Sequence, residues 1–103
     1  MHAATERIHS IDELRAIVAP IAESYGVERV YLFGSVARGD YGEDSDYDFC
    51  IDLGEIRSLF VLSGFFQDLR DAVGRDIDLV STRSTRPELL SKIMAEGVVV
   101  YEG

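Results

Sequence analysis

A single cysteine, Cys50, excludes any disulfide framework within the chain. A single lysine, Lys92, and no G-x-x-x-x-G-K-S/T stretch exclude a P-loop nucleoside triphosphatase. No apolar run reaches the roughly 18 residues of a membrane span, so no membrane association is expected. Residues Met1 to Ser10 are polar and lack the apolar h-region of a secretory signal. A soluble cytoplasmic protein is the expectation. Positive charge is also scarce. Ten basic side chains stand against 19 acidic ones, for a formal net charge of −9. Such a surface repels a phosphate backbone, so no nucleic-acid partner is expected. A small metal-bound nucleotide remains compatible, because the metal reverses the local sign. Repeats, low-complexity stretches and Pro/Ser/Gly-rich linkers are absent as well. Residues 1–103 are therefore expected to form one domain with one modest core. A hydrophobic content of 47 % argues against disorder.

What is present reads as alternating helices and strands. Ser10 and Glu13 have capping-box spacing. Leu14, Ile17, Val18, Ile21 and Ala22 follow with helical period, and Gly26 suits the end. Pro20 lies inside and predicts a kink or a fresh start. Arg29 to Phe33 is β-branched and aromatic, hence a strand closed by Gly34. Val36 to Arg38 suggests a short helix, and Gly39 to Ser45 a polar loop. Tyr47 to Leu53 reads as a second strand. A second long helix is expected through Ile56, Leu59, Phe60, Ser63, Phe66, Leu69 and Val73, with Gly74 as its cap. Asp76 to Val80 reads as a third strand. Pro87 opens a helix carrying Leu90, Ile93 and Met94; Gly97 ends it, and Val98 to Tyr101 is the last strand. The order α-β-(α)-β-α-β-α-β predicts an α/β (α+β) fold. It would be a mixed, mostly four-stranded sheet with helices packed on one side.

The second strand carries the chemistry. Its period of two puts Tyr47, Phe49 and Ile51 on one face, and Asp46, Asp48, Cys50 and Asp52 on the other. Asp46 and Asp48 can converge on one or two cations. Two such charges ~4 Å apart repel by roughly 4 kcal/mol at an effective dielectric of ~20. A protein that builds the pair usually neutralises it with a metal, a proton or an arginine. Carboxylate oxygens suit Mg²⁺ or Mn²⁺. An isolated D-x-D is more often a wet strand face. Here a strand-Gly34-Ser35-helix turn precedes it, where backbone N–H groups can point at an anion. A third carboxylate, Asp76 or Asp78, would join the pair if the third strand neighbours the second. The pattern alone leaves that choice open.

G-S-V-A-R-G-D at Gly34–Asp40, S-D-Y-D at Ser45–Asp48 and I-D-L-V at Ile77–Val80 resemble the motifs of DNA polymerase β-like nucleotidyltransferases. Within that superfamily they resemble the minimal nucleotidyltransferases, the MNT antitoxins of HEPN/MNT toxin–antitoxin pairs. Ten residues separate Ser35 from Asp46, as in that family. The resemblance spans roughly Val27 to Tyr101. It implies the nucleotidyltransferase fold, with Gly34 and Ser35 holding nucleotide phosphates and Asp46, Asp48 and Asp78 as catalytic metal ligands. It selects Asp78 over Asp76. Arg38 takes the family's arginine position, where it pairs with a phosphate or braces the acidic loop. The resemblance further implies two Mg²⁺ ions, ATP as substrate, and AMP transfer with release of pyrophosphate. The acceptor would be a hydroxyl, a tyrosine of a cognate HEPN ribonuclease toxin. No extra C-terminal domain to hold substrates is evident. That fits an acceptor supplied by a partner or a second subunit, in a homo- or hetero-oligomer.

Two other functions compete: an antitoxin that works by masking its partner, and an aminoglycoside-type small-molecule nucleotidyltransferase. The intact motifs disfavour the first and the short chain disfavours the second. His2 and His9 read as exposed tail residues. Cys50 reads as a packing residue. Tyr41, Glu43 and Asp44 read as a solvated loop. Phe60, Phe65 and Phe66 read as core, or in part as a partner surface.

Overall fold

The computed structural model describes residues 8–42 and 44–103; His2 and Glu43 lie outside them. The elements are α1 (Ile11–Tyr25), β1 (Arg29–Phe33), α2 (Gly34–Arg38), β2 (Tyr47–Asp52), α3 (Leu59–Val73), β3 (Ile77–Ser81), α4 (Pro87–Glu96) and β4 (Val98–Glu102). The expected order is present in full.

Helix α1 begins with a complete capping box. The Glu13 N–H donates to Ser10 Oγ at 3.1 Å, and the Ser10 N–H donates to Glu13 Oε1 at 2.8 Å. Two backbone donors at the helix start are thereby satisfied. Ser10→Ala is expected to lower stability by about 1 kcal/mol, read from urea melts. The fresh start expected at Pro20 does not occur, and α1 is one element. Pro20 is exposed, whereas Leu14, Val18 and Ala22 bury on both sides of it. Packing of that stripe outweighs the one missing hydrogen bond.

The sheet has the order β3-β2-β1-β4. Strand β1 pairs antiparallel with β2 and with β4, while β2 and β3 are parallel. A parallel pair needs a crossover, and α3 provides it. Helices α1 and α3 cover one face. Leu14, Val18, Phe65 and Leu69 pack there against Val30, Leu32, Phe49 and Ile51. This is the expected mixed four-stranded sheet with helices on one side. Helix α4 lies against α2 and β1.

Two expectations need correction. Helix α3 begins at Leu59, after a Ser58 cap that accepts from the Val61 N–H at 3.1 Å. Ile56 is buried but precedes the helix, and Phe65, not Phe60, points inward. Phe60 lies five residues before Phe65, about 140° around the helix. It is 89 % exposed.

His9 is likewise not a free tail residue. Its backbone N–H donates to Tyr47 Oη at 2.8 Å. Its Nε2 lies 3.1 Å from the Val73 carbonyl, which can only accept, so the ring donates. The imidazole also stacks on Tyr47 with centroids 6.3 Å apart. Tyr47 is fully buried and its hydroxyl requires a partner. His9 supplies one and ties the start of the described chain to β2 and α3.

Candidate active site

The site forms where β1 ends. Gly34 turns the chain from β1 into α2 with φ +77°, a left-handed conformation that favours glycine. Phe33 pairs across the sheet with Asp48. A Cβ on Gly34 would run into the Asp48 carboxylate. Glycine is therefore required twice, for the backbone and for the approach of Asp48. Phe33 provides no side-chain cap to the first turn of α2. Ser35 Oγ donates to Ser45 Oγ at 3.3 Å, and Ser45 Oγ also accepts from the Gly42 N–H at 2.9 Å. Arg75 donates to the Ser45 carbonyl at 2.9 Å. The loop before the aspartates is thus fastened to α2 and to the segment ahead of β3. Neither Ser45 nor Arg75 could be assigned that task from spacing alone.

Parallel pairing sets Asp48 directly beside Asp78. Their backbones are paired in register, which brings the two acids to neighbouring positions on one sheet face. The Asp48 carboxyl is pushed up to about 6, first by burial, then by the hydrogen bond and charge of Asp78, then by the charge of Asp46; Arg38 opposes this. Asp78 and Asp46 are exposed. Among the described residues, no three His, Cys, Asp or Glu side chains are gathered to hold a metal as they lie. Asp48 and Asp78 are paired in register, and the exposed Asp46 is near enough for its charge to act on Asp48. Asp76 falls outside β3. Its carboxylate pairs with Arg70 at 3.1 Å, and its carbonyl accepts from the Tyr47 N–H. It is a structural tie.

Asp52 shows what a neutralised acid looks like on this same strand face. It pairs with Arg29 at 3.1 Å and accepts from Thr82 Oγ1 at 2.6 Å. Arg29 in turn reaches Glu102 at 3.0 Å. Asp48 has no such ion pair among the described residues. Arg38 acts on it only at longer range, because its Nε pairs with Asp40 at 3.2 Å. Arg38 thus braces the acidic loop while its charge still reaches Asp48. Neighbouring carboxylates with unbalanced charge and hard oxygen donors are chemically suited to a divalent cation.

A groove of about 180 Å³ adjoins the turn, lined by Phe33, Gly34, Arg38, Leu89, Lys92 and Ile93. Leu89 and Lys92 carry no sequence signal for this place, since it arises from α4 packing beside α2. Cys50 is fully buried on the aspartate face between Tyr31 and Val80. Burial, then the charge of Asp52, pushes its thiol up to about 11, so it is not a thiolate nucleophile.

A family model for polymerase beta, nucleotidyltransferase, matches residues 17–103. The chain belongs to this nucleotidyltransferase family. It is similar to the protein adenylyltransferase MntA of Thermococcus cleftensis, with 35 % identity over 95 residues that cover 92 % of this chain and 94 % of the other. Among solved structures it is similar to a chain of a toxin–antitoxin complex with AMP-PNP. That match has a TM-score of 0.73 and 22 % identity, over 86 % of this chain and 73 % of that one. A complex of tri-AMPylated Shewanella oneidensis HEPN toxin with MNT antitoxin gives a TM-score of 0.69 at 19 % identity. It covers 91 % of this chain and 74 % of that one. At these identities the two structures establish the nucleotidyltransferase fold. No described helix is long and apolar enough to cross a membrane.

Proposed function

We propose that this nucleotidyltransferase is a Mg²⁺-dependent protein adenylyltransferase that moves AMP from ATP to a hydroxyl of a HEPN-type toxin, acting as its antitoxin. The observation that carries the reading is the in-register Asp48–Asp78 pair, with Asp48 against Gly34 and no arginine ion-paired to it among the described residues. The name of the Thermococcus relative and the toxin complexes among the structural neighbours support the choice of donor and acceptor.

Asp46, Asp48 and Asp78 would hold Mg²⁺, with Asp46 joining by rotation of its exposed side chain. Mg²⁺ bound there supplies positive charge to the transferring phosphate and the departing pyrophosphate. Gly34 and Ser35 place backbone N–H groups at the phosphates. Arg38 exchanges Asp40 for phosphate, which is a geometry a guanidinium suits. The acceptor oxygen bonds to the α-phosphorus as the bond to the bridging oxygen of pyrophosphate breaks. Asp78, the exposed member of the pair, receives the hydroxyl proton. A tyrosine is the proposed acceptor side chain.

The test uses ATP labelled at the α-phosphate or at the γ-phosphate, with a purified HEPN-type protein from the same genome as the acceptor. The account expects label on the partner from the α position only, and only while Mg²⁺ is free in solution. Label arriving from the γ position would make the chain a kinase and sink the proposal.

A further inference from the structure

The apolar stripe of α3 overruns the sheet. Leu62, Phe65, Leu69 and Val73 face the helices and strands of the core, but the first turn extends past them. Leu59 is 80 % exposed there. Leu53, Ile56, Leu59 and Leu62 line a groove of about 200 Å³ together with Arg57 and Arg83. Phe60 stands exposed beside it.

Charge distinguishes this groove from the rest of the surface. The whole chain carries −9. Among the described residues, Arg57, Arg83 and Arg86 are the arginines without a hydrogen-bond or ion-pair partner, and two of these three line the groove. Glu55, the acid nearest Arg57 in sequence, lies against Gly26 instead. Arg83 is presented by a braced turn. Thr85 Oγ1 donates to the Ser81 carbonyl at 2.6 Å, the Ser84 N–H donates to Ser81 Oγ at 3.1 Å, and Thr82 is fastened to Asp52. Two unpaired cations on an acidic molecule call for an acid from outside.

The groove is remote from the aspartates. Leu53 follows β2 and Arg83 follows β3, whereas Asp46, Asp48 and Asp78 sit at the starts of those parallel strands. Five strand residues from Asp48 to Leu53 span roughly 17 Å.

We propose that this groove docks the acceptor protein, taking an acidic segment that also carries large apolar side chains. This rests on the reading that the acceptor is a protein. Docking at the far end of the strands leaves the aspartates open to the reacting hydroxyl. It also explains how this domain could select its acceptor. Complementary charge speeds encounter and fixes orientation, and the exposed Leu59 and Phe60 supply the anchors.

The test measures AMP transfer to the purified HEPN protein, its Kd by calorimetry, and AMP-PNP affinity, for wild type and two variants. One variant is Leu59→Asp with Phe60→Ala; the other is Arg57→Glu with Arg83→Glu. Each is expected to raise Kd and KM for the partner at least tenfold, with kcat and AMP-PNP affinity unchanged. Phe60→Ala alone, at a solvated position, replaces the first variant if that one fails to fold. Transfer with unchanged KM in both variants overturns docking at this groove. A wild-type dimer that the variants abolish, with partner affinity intact, overturns it in favour of a second copy. A wild type that neither binds nor labels the HEPN protein overturns the protein-acceptor reading itself, a distinct result.

Discussion

Asp48→Asn is expected to slow AMP transfer by about a thousandfold and, in the absence of metal, to make the protein more stable. Both effects have one cause. Asp48 is held beside Asp78 and near Asp46, and its carboxyl is pushed up to about 6 by burial and by those two acids. Ionised, the cluster repels itself. Folding therefore binds the Asp48 proton more tightly than the unfolded chain does. The resulting stability is complete below the usual carboxylate range near pH 4 and is lost as pH rises through about 6. Solvent screens the site, so the loss is on the order of 1 kcal/mol. Asparagine cannot ionise, and melting midpoints of the variant should lose the fall seen in wild type between pH 5 and pH 7.5. At pH 7.5 the variant should melt roughly 4–8 °C higher. The same change removes a carboxylate that, on the proposed function, would hold Mg²⁺ at the phosphate, and several kcal/mol of lost transition-state stabilisation corresponds to about a thousandfold in rate. Saturating Mg²⁺ should stabilise wild type more at pH 7.5 than at pH 5, and leave the variant nearly unaffected. A variant that is both less stable at pH 7.5 and fully active would show that Asp48 is an ordinary surface acid.

Gly34→Ala is expected to reduce transfer about a hundredfold and stability by about 1–3 kcal/mol. The backbone at Gly34 has φ +77°, and a methyl group there meets the Asp48 carboxylate. The added carbon displaces the carboxylate or the turn, and a misplacement of about 1 Å near the reacting centre suffices for such a loss. Gly39→Ala provides the control. Gly39 has φ +84°, and a Cβ there meets nothing within 4 Å. That variant should lose a similar increment of stability from the backbone alone while keeping most of its transfer rate. Equal rate losses in the two would attribute the effect to helix α2 rather than to contact with Asp48. Initial rates and urea melts of both proteins decide the matter.

Much of this architecture is legible in the sequence because local rules suffice for it. The Ser10–Glu13 box, the β-branched run before Gly34 and the alternation from Asp46 to Asp52 each act over a few residues. They place α1, β1 and the two faces of β2. The faces of β2 also separate core from site, since Tyr47, Phe49 and Ile51 bury while Asp48 turns away. Whether Asp78 could join Asp48 depends on strand order and register, which no local pattern contains. The motif resemblance supplied that choice, and the β2–β3 pairing places the two acids side by side.

The misreadings share a cause. His9 looked like a tail residue because its partners, Tyr47 and Val73, lie 38 and 64 residues away. Phe60 looked like core because apolar residues crowd the start of α3 and allow more than one helical phase. The choice of phase comes from which residues meet the sheet. Asp52 and Asp48 share a strand face and a residue type, yet differ in surroundings, because Arg29 pairs with Asp52 and not with Asp48. Cross-strand partners of this kind separate an ion-paired acid from one left without a cation.

On the proposed function, this chain silences a partner by covalent adenylylation. Intact-mass spectrometry of the purified HEPN protein, before and after incubation with this chain, ATP and Mg²⁺, tests it most directly. The account predicts a mass gain of one or more adenylyl groups, located on a hydroxyl, with ribonuclease activity lost in step with the gain. A partner that is fully silenced at unchanged mass would contradict it.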